Sequence, residues 1–131
     1  MAQQSHRLCK RERLSGHNQV DTLFGGGSQS VTVYPIRAIY RLTPCSPDSP
    51  PVRMLVSVPK RHFKHAVDRN RVKRQVREAY RVQKGILYEH MQSHNGQELL
   101  LAFIWLSDHH EQSSRIAQRI SVILQRVKER L

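Results

Sequence analysis

The chain has 131 residues, 38% of them hydrophobic and 6% aromatic, with 22 Lys and Arg against 10 Asp and Glu for a net charge of +12. That length sets one domain, 1–131, with a single core large enough to fold without staples. The charge points to a polyanionic partner, and no apolar run approaches the roughly 20 residues that a membrane-spanning helix needs.

The N-terminus lacks the apolar centre of a signal peptide. Cys9 and Cys45 have no metal-ligand spacing and read more simply as free thiols than as a disulfide, so a reducing, cytoplasmic location is expected. Residues 1–13 are polar and basic, with Arg7, Lys10, Arg11 and Arg13 against Glu12, and predict a partly mobile arm. Ser15 suits the N-cap of a short helix carrying Val20, Leu23 and Phe24, which Gly25-Gly26-Gly27 then stops.

Ser30 to Leu42 is rich in β-branched and aromatic residues and reads as a strand interrupted or edged by Pro35. Pro44, Pro47, Pro50 and Pro51 make residues 43–51 a non-helical connection. Val52 to Val58 is the next strand, expected beside the first as its antiparallel neighbour. Residues 59–64 lead into a helix over 68–84, where Asp68 fits either the N-cap or a first-turn acid and Gly85 is the expected stop.

That helix is the centre of the functional reading. At about 100° per residue, Val72, Val76, Ala79, Tyr80 and Gln83 fall on one narrow arc that can dock on a core. The wider arc carries Lys73, Arg74, Arg77, Arg81 and Lys84, with Asn70 near its middle and Arg71 on its flank, against the single acid Glu78. With Lys60, Arg61, Lys64 and Arg69 included, ten Lys and Arg stand against Asp68 and Glu78, a local +8. Like charges at i,i+3 and i,i+4 each cost a few tenths of a kcal/mol, and phosphate relieves such crowding. The excess of Arg favours bidentate phosphate contacts.

Residues 86–97 suggest a further helical turn and then a loop at Asn95-Gly96. Leu99 to Trp105 is continuously apolar and predicts the most buried strand. Ile116, Ile120, Ile123, Leu124, Val127 and Leu131 predict an amphipathic closing helix within 111–131.

The run Arg69-Asn70-Arg71-Val72-Lys73-Arg74, followed by Arg77-Glu78-Ala79-Tyr80-Arg81, resembles the signature of the bacterial ribonuclease P protein subunit. Leu55 to Arg61 is similar to that family's strand and basic turn, with the turn about one residue longer. Lys10 to Leu14, and Phe24 ten residues after Leu14, are similar to its N-terminal element. There the chain departs from the pattern, with Ser15-Gly16 in place of two basic residues and Val20 in place of an aromatic.

The resemblance implies an α+β fold, a two-layer α/β sandwich of ribosomal-protein-like order α-β-β-β-α-β-α with a left-handed βαβ crossover. It implies a subunit that binds the catalytic ribonuclease P RNA through Lys60, Arg61, Arg69, Asn70, Arg71, Lys73, Arg74, Arg77 and Arg81. It also implies contact with the 5′ leader of precursor tRNA in a cleft, for which Arg11, Arg13, Phe24, Tyr34 and Arg37 are the candidates, Phe24 and Tyr34 reading equally as core aromatics. Magnesium would act through the RNA, with no catalytic residue, metal site, membrane or obligate protein partner on the protein side.

The residues themselves favour a binder over a hydrolase. Asp68 and Glu78 lie ten residues apart, nearly three helical turns, so they cannot share a metal. His90 and His94 have zinc-pair spacing without the intervening glutamate of a metalloprotease, and His62 and His65 suit occasional positive charge beside RNA. A ribosomal or generic RNA-binding protein and a protein-only nuclease are the competing classes.

Overall fold

The computed structural model describes residues 12–13, 20, 23–44, 50–94 and 96–131. Their order is β1 (Gln29–Val33), β2 (Ile36–Pro44), β3 (Val52–Ser57), α1 (Ala66–Gln83), α2 (Gly85–Met91), β4 (Gln97–Trp105) and α3 (Ser113–Arg130). The four strands form one sheet in the order β1-β2-β4-β3. This is the α+β sandwich expected from the sequence.

Pro35 divides the first strand region in two. Val33 pairs with Ile36 across Tyr34-Pro35, so β1 and β2 are a tight antiparallel hairpin. A proline cannot donate to a strand ladder, and the chain turns where the donor is missing.

The expected pairing of β2 with β3 is incorrect. β4 lies between them, antiparallel to β2 and parallel to β3. The reason lies in burial: both faces of β4 are apolar from Leu99 to Phe103, and only an inner strand has both faces covered. β2 instead turns Arg37 and Arg41 outward and β3 turns Arg53 outward, which suits strands with one wetter face.

One sheet face carries Ala38, Tyr40, Met54, Leu101, Phe103 and Trp105 and packs under α1 and α3. α3 inserts Ile116, Ile120, Ile123, Leu124 and Val127, all fully buried, each contributing roughly 1.5–3 kcal/mol. The other sheet face is smaller in its apolar part: Leu23 covers Leu100 and Ala102, with Val20, Ile39 and Leu55 around them. Gly26 and Gly27 follow at φ 105° and 77°, so the expected glycine stop is present. Ser15 and the proposed cap lie outside the described residues, as do Cys9, Cys45 and most of the Pro-rich connection.

Gly85 is a second correction. It opens α2 instead of ending α1 in a left-handed turn, and Lys84 at φ −61°, ψ −22° joins the two helices. Asp68 is a first-turn acid, since α1 begins at Ala66 with His65 as its N-cap.

Candidate nucleic-acid interface

Helix α1 buries the arc read from its periodicity: Val72, Val76, Ala79 and Tyr80. Its flank toward α3 is fixed by glutamines. Gln75 Nε2 donates to the Glu111 carbonyl and Ser113 Oγ, both at 3.1 Å, and Gln83 Nε2 donates to the Ala117 carbonyl at 3.0 Å. The opposite arc is thereby held toward solvent.

On that arc Asn70, Arg71 and Arg74 are exposed and Lys73, Arg77 and Arg81 are half-buried. Lys60, Arg61 and Lys64 are exposed on the preceding turn. Among the described residues, Arg81 is the one of these cations with a salt bridge, Nη2 lying 2.6 Å from Glu78 Oε1 and Nε donating to Oε2 at 3.0 Å. The Arg81 guanidinium holds the Glu78 carboxyl below its ordinary range, and Glu78 raises Arg81 in turn. The remaining cations, exposed or half-buried, are carried by the basic turn and α1.

Arg77 lies toward the N-terminal segment. Partial burial, and then the nearby Arg13 guanidinium, push Arg77 below its ordinary value. Arg13 itself is exposed and bridges to Met54 in parallel sense, which places it beside β3.

Lys84 corrects the sequence reading. It lies only 2% exposed, and its Nζ donates to Glu12 Oε2 at 2.8 Å and Oε1 at 3.0 Å. Tyr88 OH donates to the same carboxylate. Burial first and then the Glu12 charge push the Tyr80 phenol upward, and burial and Tyr80 do the same to Tyr88. The basic arm is described only at these last two residues, Glu12 and Arg13, and both are anchored.

The leader candidates gather less tightly. Arg11 lies outside the described residues. Phe24, 46% exposed, follows the segment that covers the smaller apolar patch, and Tyr34, 63% exposed, sits at the tip of the β1–β2 hairpin. Neither is a core aromatic. Arg37 is exposed on β2 in a row with Ile104 of β4 and Ser57 of β3. The sequence reading omitted Arg41 and Arg53, which flank Leu100 from either side on that same face. Arg41 Nη1 donates to the Gly26 carbonyl at 2.8 Å, and Arg53 Nε lies 3.3 Å from Glu98. Strand alternation from Arg37 to Arg41 was the available signal.

The basic turn is tightly framed. His62 Nδ1 lies 2.7 Å from Asp108, His110 Nε2 lies 3.1 Å from Asp68, and Phe63 stacks on His110 with centroids 4.5 Å apart. Arg69 Nη1 donates to the Phe63 and Lys64 carbonyls, each at 2.9 Å. Asp68 and Glu78 are therefore engaged with His110 and Arg81, and about 15 Å of helix axis separates their backbones. No paired carboxylates suited to a metal stand on α1. Among the described residues, no helix is long and apolar enough to cross a membrane.

Comparison with known proteins bears on the family and the fold. The chain is 48% identical over 85 residues to the ribonuclease P protein component of Porphyromonas gingivalis, covering 65% of this chain and 61% of that protein. It is 34% identical over 106 residues to the Chlorobaculum tepidum component, covering 77% and 68%. The chain thus spans about 61% of the length of its Porphyromonas relative. Its fold matches the RNase P protein from Thermotoga maritima with a TM-score of 0.67 at 18% identity, covering 88% of this chain and 96% of that one. It matches the Staphylococcus aureus RNase P protein with a TM-score of 0.62 at 19% identity, covering 89% and 95%. The family profile described as Ribonuclease P matches residues 8–101, and the chain belongs to that family.

Proposed function

We propose that the protein is the protein subunit of a ribonuclease P ribonucleoprotein, which removes the 5′ leader of precursor tRNA in the cytoplasm. The catalytic RNA carries the hydrolysis and holds its magnesium ions. The protein supplies Lys60, Arg61, Asn70, Arg71, Lys73, Arg74, Arg77 and Arg81 to folded RNA, and Arg13, Phe24, Tyr34 and Arg37 to the leader. The carrying observation is the row of exposed cations on α1 and its preceding turn, on a helix whose two acids are each already paired.

The test is to add the protein, alone and with a bacterial ribonuclease P RNA, to precursor tRNA at low magnesium. Cleavage stimulated only in the mixture is expected. Cleavage by the protein alone supports a nuclease, and binding without stimulation supports a generic RNA-binding protein.

Replacing both Arg71 and Arg74 with Ala leaves the fold intact, because both are exposed. It lowers the salt slope of log affinity by roughly 0.7 to 0.9 for each phosphate that is no longer neutralised. An unchanged slope in the folded double variant removes this arc from the interface.

Tyr34 carries a separable expectation. An exposed ring at a hairpin tip suits stacking on a base, worth about 1–3 kcal/mol. Tyr34→Ala in the holoenzyme should weaken precursor tRNA binding by that amount and leave affinity for the catalytic RNA unchanged. Substrates with leaders of increasing length provide the measurement, and an equal gain with length in both proteins places the leader elsewhere.

A further inference from the structure

Arg69 differs from every other cation of the basic segment in where its side chain goes. At 3.6 residues per turn it lies about 140° around the helix from Arg74 and within about 20° of the buried Tyr80. It therefore belongs to the core-facing arc, at the point where the first turn of α1 runs past the core. There its Nη1 reaches back over the helix N-terminus and donates at 2.9 Å to both the Phe63 and Lys64 carbonyls.

A cation gains nothing from the dipole at a helix N-terminus, where the field favours anions. The two carbonyl oxygens account for its position. His65, the N-cap, makes no side-chain capping bond, so Arg69 is the side chain that ties this entry to the helix body. The other side of the same turn is held by His62 on Asp108 and by Phe63 on His110. Lys60, Arg61 and Lys64, all exposed, are thus mounted on a turn fixed from two directions.

We propose that Arg69 is a positioning residue: it fixes the basic turn relative to α1, so that turn and helix meet RNA as one preformed surface, and it does not itself bind phosphate. This rests on the RNA-binding reading of the segment and refines it. A flexible turn would have to be ordered during association, a cost of about two- to tenfold in affinity for one long side chain.

The experiment compares Arg69→Met with Arg71→Met in the full chain, since both remove one charge and keep a side-chain stem. Affinity for ribonuclease P RNA is measured across a salt series, and amide hydrogen exchange over residues 60–66 is measured on the free protein. Arg71→Met should lower the salt slope by roughly 0.7 to 0.9 and leave exchange unchanged. Arg69→Met should lower affinity about two- to tenfold at every salt concentration, keep the wild-type slope, and speed exchange in the turn. A slope reduction in Arg69→Met equal to that in Arg71→Met makes Arg69 a phosphate ligand and overturns the proposal. Unchanged exchange and affinity also overturn it. The same comparison on an unrelated structured RNA gives the same answer, so absence of ribonuclease P specificity counts against the functional reading alone.

Discussion

Replacing Glu12 with Ala should lower the stability of the protein by about 3–5 kcal/mol, the cost of leaving a buried ammonium without its partner. Lys84 and Glu12 are 2% and 7% exposed, and two bonds of 2.8 and 3.0 Å join them. Native stability is itself only about 5–15 kcal/mol, so much of it disappears. Replacing both, Glu12→Leu with Lys84→Met, removes the two desolvated charges together and should recover most of that stability. The midpoint of urea unfolding gives the measurement. A Glu12→Ala protein within about 0.5 kcal/mol of wild type, the range of ordinary surface substitutions, would mean that water reaches Lys84.

This pair also shows which parts of the molecule are legible in the sequence. Helix α1 was legible because its docking arc is a local period: Val72, Val76, Ala79 and Tyr80 recur with the helical turn, and all four are buried. The same holds for α3, and β4 announced itself by an apolar run that only an inner strand can bury. Lys84 has the helical phase of the half-buried Lys73 and Arg77, and what engages it is a carboxylate 72 positions earlier. No window along the chain contains that partner.

Strand order failed for a related reason. Local pattern marked β2 and β3 correctly as strands, but the insertion of β4 between them is a choice among long-range pairings. Gly85 had the ordinary chemistry of a helix stop, yet Leu87 and Met91 just beyond it are buried, and packing continued the helical path through α2. At the site, charge located the basic surface but could not separate its roles. Arg69 and Arg71 carry the same charge and differ in helical phase by about 200°, but what Arg69 does with its guanidinium shows only in its bonds to the Phe63 and Lys64 carbonyls.

Val76→Asp should abolish the folded protein or release α1 from it. Val76 is 1% exposed in the middle of the buried arc, within the cluster that includes Tyr80 and Ile120. A carboxylate there exchanges its hydration for apolar surroundings, which costs several kcal/mol in addition to the apolar packing that valine supplied. The aspartate cannot turn outward, because the glutamine bonds from Gln75 and Gln83 fix the rotation of α1 against α3. Arg74→Asp is the matching control, placing the same carboxylate on the exposed arc two residues earlier. It should change stability by no more than about 0.5 kcal/mol while weakening RNA binding strongly, since it replaces a phosphate-attracting charge with a repelling one. Circular dichroism on heating, together with RNA binding at fixed salt, separates the two substitutions. A Val76→Asp protein that melts as the wild type and binds RNA would show that the buried and exposed arcs of α1 have been exchanged.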